Sequence, residues 1–241
     1  MKPVPPPAAP RRTAVLEARD VTVRYGRQVV LDGVSLTVEP GRVTGLAGPS
    51  GCGKSTLARV LALMLRPSGG AVTVDGTAVR RWRQRAPRGL RTAVALLYQQ
   101  PRLAVDPRLT LTEIIAEPLA AAGRADRGRV AALAAEAGLT GDLLGRRPHE
   151  VSDGQLQRAC VARALSLEPR YLVCDEMTTM LDASTQAHLV AVVEAYRERS
   201  GAGVLAVSHD DALLVRWAHH RVRLGDPGDA AGPSDHADPG K

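Results

Sequence analysis

The run Gly48-Pro49-Ser50-Gly51-Cys52-Gly53-Lys54-Ser55-Thr56 narrows the possible folds of this chain more than any other feature. It follows Val43-Thr44-Gly45-Leu46-Ala47, an apolar stretch that reads as a buried strand. It opens a helical periodicity from Lys54 to Leu65, which Pro67 and Gly69-Gly70 end. In that context the run matches the phosphate-binding pattern G-x-x-x-x-G-K-[ST]. Gly48, Gly51 and Gly53 let successive backbone N–H groups converge on phosphate oxygens, with Pro49, Ser50 and Cys52 completing the loop, and the helix start adds its dipole. Lys54 is expected to neutralise the outer phosphates, and Ser55, beside Thr56, to ligate Mg²⁺. A surface lysine after a flexible loop would be the bland explanation. Lysine usage argues against it: the chain has three, and Lys2 and Lys241 lie at its ends, so Lys54 alone falls within the fold.

A loop of this kind requires an α/β setting, and the rest of the chain supplies one. Val21-Thr22-Val23, Val34 to Val38 and Ala71 to Val74 read as strands, as do the short apolar runs Tyr171 to Cys174 and Val204 to Val207, each followed by a polar residue and a helix. Such alternation predicts a mostly parallel sheet. Residues 101–150 carry no strand signal and are rich in alanine and leucine, which predicts a helical lobe inserted in the core. With 241 residues and 44% hydrophobic content, the chain can bury a sizeable core. We expect disordered tails at 1–13 and 226–241, rich in Pro, Ala, Gly and Asp, flanking a folded unit at 14–225. The net charge of +7 favours an anionic partner. Three cysteines without a C-x-x-C pair exclude a disulfide framework and a zinc finger. No apolar stretch approaches the ~18 residues of a membrane span, and Met1 to Arg12 lacks the apolar centre of a signal peptide, so an intracellular chain with at most peripheral membrane association is expected.

Tyr171-Leu172-Val173-Cys174-Asp175-Glu176 is an apolar strand that delivers two carboxylates at its carboxyl end, the edge where open α/β sheets bind ligands. Asp175 there is placed to hold Mg²⁺ and Glu176 to polarise an attacking water.

Together with four further segments, these features resemble the ATP-binding subunit of ABC transporters, from about residue 15 to 224. Gln99 matches the glutamine loop of that family, Val151-Ser152-Asp153-Gly154-Gln155-Leu156-Gln157-Arg158 its signature motif, Thr179-Met180-Leu181-Asp182 its D-loop and His209 its switch histidine. Tyr25 stands where the family places an aromatic ring on adenine. The resemblance implies a P-loop NTPase core with an antiparallel β-subdomain and an α-helical lobe. It implies an ATPase using ATP and Mg²⁺, with Glu176 as base, Gln99 and His209 sensing the γ-phosphate and water, and Gln99 also near the metal. Ser152, Gly154, Gln155 and Asp182 would cover the ATP of a facing cassette. The implied partners are that second cassette, two integral membrane permease subunits and, indirectly, a solute-binding protein, at the cytoplasmic face of the membrane. Pro107-Arg108 followed by Glu113 to Leu119 resembles the oligopeptide, dipeptide and nickel importer branch, although the carboxyl-terminal extension common there is missing. A cassette acting without a channel, in phosphonate breakdown, nucleic-acid repair or translation, is the competing reading. Repair and translation cassettes mostly carry two copies per chain or long insertions.

One residue departs from the family pattern. Asp153 replaces the first of two glycines after the signature serine. A carboxylate about 6 Å from a phosphate, at an effective dielectric of ~20, repels each phosphate charge by roughly 3 kcal/mol. Either the side chain points away, or the half-site closes weakly and the chain pairs with a different cassette. A structural explanation also exists: Ser152-x-x-Gln155 reads as a capping box, and Asp153 in a first helical turn suits the helix dipole. Arg80, Arg81, Arg83, Arg85, Arg88 and Arg91 around Trp82 read as a solvated helix face rather than a nucleic-acid surface, because one aromatic accompanies them.

Overall fold

Along Leu16–Tyr25 (β1) the residues Leu16, Ala18, Val21 and Val23 are buried between more exposed neighbours, the period of a half-buried strand. Gln28–Val38 (β2) folds back on it through Gly26 as an antiparallel partner. Val43–Ala47 (β3) leaves this sheet and leads through the glycine-rich loop into Lys54–Leu61 (α1). The chain then returns as Gly69–Val74 (β4) and Thr77–Ala78 (β5), which complete a four-stranded antiparallel sheet of order β2-β1-β4-β5. The computed structural model describes residues 14–177 and 181–225; the tails expected at 1–13 and 226–241 lie outside them.

After Arg88–Arg91 (α2) comes Val94–Leu97 (β6), and the helices Leu111–Ala121 (α3), Arg127–Glu136 (α4), Gly141–Leu144 (α5) and Asp153–Leu165 (α6) follow. Tyr171–Asp175 (β7), Ala183–Ser200 (α7), Gly203–Val207 (β8), Asp211–Trp217 (α8) and His220–Arg223 (β9) close the chain. The second sheet is wholly parallel, ordered β6-β7-β8-β3-β9. Every residue of β3, β7 and β8 is buried, because both faces of a parallel sheet are covered. Alternate side chains divide between two apolar layers. Leu172, Cys174 and Val204 face α3, α4, α6 and α7, whereas Val173, Leu205 and Leu46 face α1 and the antiparallel sheet. Each fully buried Leu or Val contributes about 1.5–3 kcal/mol. The α/β class read from the alternation of strand and helix signals is the one the chain forms. Among the described residues, no helix is long and apolar enough to cross a membrane.

Two local expectations change. The first helix stops at Leu61 rather than running to Leu65: Leu63 turns left-handed (φ 61°) and Met64 N–H reaches back to the Arg59 carbonyl at 2.8 Å, a Schellman-type end without its usual glycine. The arginine-rich run is not one helix face. Arg83–Arg85 forms a single 3₁₀ turn and α2 one helical turn, separated by an extended Ala86 and Pro87.

Candidate active site

All the candidate chemistry of the parallel sheet gathers at the carboxyl ends of four adjacent strands. β3 ends in the phosphate loop, β7 in Asp175 and Glu176, β8 in Ser208 and His209, and β6 in Tyr98 and Gln99. Gly48, Gly51 and Gly53 take φ values of 147°, 81° and 105°. At two of them space as well as dihedral demands glycine. A Cβ on Gly48 would collide with the Leu224 carbonyl oxygen, and one on Gly53 would lie 2.7 Å from Leu31 Cδ2. Gly53 is the N-cap of α1, and no side chain caps that helix, so its leading N–H groups are available to an anion. Pro49 and Ser50 are exposed, and Cys52, Ser55 and Thr56 are half-buried.

Lys54 is 95% buried, with 5% of its surface exposed, and its Nζ donates to the carbonyls of Gly48 at 2.8 Å and Pro49 at 2.9 Å. It forms no ion pair with a described carboxylate. A buried ammonium held only by neutral carbonyls is incompletely compensated. Beside an uncapped helix start, this arrangement fits a polyphosphate.

Ser55 Oγ donates to Asp175 Oδ1 at 2.9 Å. Burial pushes the Asp175 carboxyl above its usual range; the Ser55 hydrogen bond opposes this, and the adjacent Glu176 charge adds to it. A hydroxyl beside a carboxylate, with no cluster of three or more His, Cys, Asp or Glu among the described residues, suits Mg²⁺, which takes one or two protein oxygens and completes its shell with phosphate and water. Glu176 sits in the left-handed region (φ 48°), where its N–H donates to the Val207 carbonyl at 3.0 Å. Its Oε2 accepts from Gln99 Nε2 at 2.9 Å and lies 3.6 Å from His209 Nδ1. The Glu176 side chain is 15% exposed and that of His209 55%, so the carboxylate is shielded while the imidazole is open to solvent. The Gln99 amide nitrogen thus faces Glu176, which leaves its Oε1 as the atom able to meet a metal.

A second group forms a separate concavity of about 400 Å³, lined by residues from the start of α6 and of α7, none of them from the phosphate loop. Ser152 Oγ accepts from Gln155 N–H at 3.2 Å and Gln155 Oε1 from Ser152 N–H at 3.0 Å, so the capping box forms. Gly154 is packed closely: a Cβ there would lie 3.1 Å from Thr185 Cγ2. Asp182 caps α7 by accepting from Thr185 N–H at 2.9 Å, and hydrogen bonds from the Thr185 backbone and hydroxyl hold its carboxyl below the usual range. Thr179 and Met180 lie outside the described residues. Tyr25 stands 49% exposed at the end of β1.

Contacts that the sequence reading did not anticipate tie the two groups together. Arg102 Nε donates to Asp153 Oδ1 at 2.7 Å, Gln157 Nε2 to the Tyr98 carbonyl at 3.2 Å, and Arg163 Nη1 to the Ala104 carbonyl at 2.6 Å. No periodicity or motif marks these pairings.

The sequence pattern of the family described as ABC transporter matches residues 31–179. The chain is 35% identical to the oligopeptide transport ATP-binding protein OppF of Salmonella typhimurium, over 89% of this chain and 72% of that protein. It is also 35% identical to the nickel import ATP-binding protein NikE of Shigella boydii, over 85% of this chain and 78% of that protein. Among solved structures, the dimeric post-hydrolysis state of the ATP-binding cassette MJ0796, bound to ADP and Pi, superposes with a TM-score of 0.77 at 26% identity, covering 87% of this chain and 94% of that one. By the family match, these relatives and the fold they share, the chain belongs to the ABC transporter family, as one of its ATP-binding cassettes.

Proposed function

We propose that this chain binds and hydrolyses ATP with Mg²⁺ and energises import of a solute of the peptide or nickel type through a membrane complex. The buried Lys54, in no ion pair with a described carboxylate and set beside an uncapped helix, carries this reading. Lys54 exchanges its Gly48 and Pro49 carbonyl contacts for phosphate oxygens, while the loop amides from Gly51 to Thr56 hold the same group. Ser55 and Asp175, with Gln99 Oε1, would hold Mg²⁺, which when bound would supply positive charge to offset that of the phosphates. Glu176 takes the proton of the attacking water. Gln99 and His209 fix the direction of its carboxylate and report on the outermost phosphate. Tyr25 stacks on adenine.

One chain holds two unlike halves of this machinery, and the concavity lined by Ser152, Gly154, Gln155 and Asp182 contains no phosphate-loop residue. A second cassette facing this one completes both sites. We assign it to a different chain, because Asp153 makes this signature unlike the glycine-paired form; a homodimer is the alternative. A groove of about 990 Å³ between the sheet core and the helical lobe, lined by Trp82, Tyr98, Pro101, Ala104, Pro118 and Arg163 among others, receives the permease subunits at the cytoplasmic face of the membrane. A solute-binding protein acts beyond them.

The test is Glu176→Gln in the assembled complex. General base catalysis contributes about 10²–10⁴-fold, so turnover should fall by that factor while ATP binding persists. Unchanged turnover, or capture of soluble enzymes or nucleic acid in place of integral membrane subunits, would overturn the assignment.

A further inference from the structure

Asp153 is the residue that an anion-gripping role for the start of α6 does not absorb. It sets a fixed negative charge in the first turn of a helix whose concavity would meet a phosphate. The fold gives that charge a partner. Arg102, three residues beyond Gln99, sends Nε to Asp153 Oδ1 at 2.7 Å, Nη1 to the Pro148 carbonyl at 2.6 Å and Nη2 to the Val151 carbonyl at 3.1 Å. One guanidinium thus braces the backbone entering α6 and compensates the carboxylate on it. The rigid fork of donors suits this task, whereas a lysine would offer a point charge without fixed directions. Gln157 to Tyr98 and Arg163 to Ala104 fasten the same segment along α6, so the strand-end that carries Gln99 and the helix that begins at Asp153 are joined at three levels.

Stability does not explain the pair. The two side chains are 46% and 60% exposed, and solvated ion pairs contribute little. What the contact changes is local charge and the placement of one carboxylate.

We propose that Arg102 is a positioning residue for the nucleotide half-site formed by the start of α6: it neutralises Asp153 and holds the carboxylate to itself, so that the Ser152–Gln155 turn can accept the phosphate of a facing cassette. This inference rests on the reading of the chain as one of two ATP-clamping cassettes. Asp153 and Arg102 are then a compensating pair, each harmful without the other.

Complexes captured through tagged full-length chain test it, by kcat and KM for ATP in the parent, Arg102→Ala, Arg102→Lys, Asp153→Gly and the Arg102→Ala, Asp153→Gly double variant. Arg102→Ala should lower kcat/KM about tenfold, the loss expected of one charge-assisted contact. Arg102→Lys should recover part of the loss. Adding Asp153→Gly to Arg102→Ala should recover most of it, although the double variant melts no higher than the single one. If Arg102→Ala does not assemble, Arg102→Gln carries the same comparison. An active parent whose double variant is no better than Arg102→Ala overturns this proposal alone. A parent complex that hydrolyses no ATP overturns the functional reading, and this proposal with it.

Discussion

The starts of α1 and α6 are two helix N-termini with opposite preparation for an anion. α1 begins at a left-handed glycine with no side-chain cap and no acidic residue in its first turn, next to a buried lysine. α6 satisfies its own leading amides through the reciprocal Ser152–Gln155 box and adds a carboxylate, which Arg102 then compensates. The first start is incomplete until an anion arrives. The second is complete in isolation and must exchange existing contacts to accept one. Under the proposed function, in which two cassettes close on ATP and reopen, this difference assigns tight holding to the first half and adjustable contact to the second.

The contrast breaks if equivalent truncations weaken nucleotide binding equally. Lys54→Ala should lower ATP affinity about 100-fold in an equilibrium titration, since contacts to charged groups are each worth about 1.5–3 kcal/mol. Ser152→Ala should leave affinity for the chain's own ATP nearly unchanged and lower thermal stability by about 1 kcal/mol through loss of the cap, read from the melting curve. An affinity loss at Ser152 matching that at Lys54 would place both helix starts in one site.

The smallest effect sharpens the contrast through cysteines, since Cys52 lies just before α1 and Cys160 within α6. Burial pushes the Cys160 thiol up to about 11 and that of Cys174 up to about 12. Because the reactive form is the thiolate, fewer than about one in a thousand of either is reactive at pH 8, and each becomes reactive only as pH rises toward its raised value. Native protein should therefore take one maleimide per chain at pH 8, at the half-buried Cys52, and ATP should slow that labelling. A second label on Cys160 under native conditions would show that α6 opens on its own.

Much of the architecture was legible because it depends on local order. A buried strand, a glycine-rich turn and a helix in succession impose the phosphate loop, and the apolar runs ending in Asp175 and Val207 announce parallel strands. The capping box over Ser152 and Gln155 was readable for the same reason: its partners are three residues apart. The end of α1 was not, since Leu63 adopts a left-handed turn usually given to glycine. Nor was the break-up of the arginine run, where an extended Ala86 and Pro87 outweigh any helical spacing of the charges.

Residue order therefore settles which groups exist, on which kind of element they sit, and that Lys54 must lie close to a helix start. Folding settles who meets whom. The Gln99–Glu176 contact joins residues 77 apart and the Arg102–Asp153 contact residues 51 apart. Neither separation carries a period that a linear reading could detect, because such pairs follow from strand order and from the angle at which α6 packs on the sheet. Asp153 read alone is an isolated charge in a first helical turn; only the tertiary structure shows that Arg102 pairs with it.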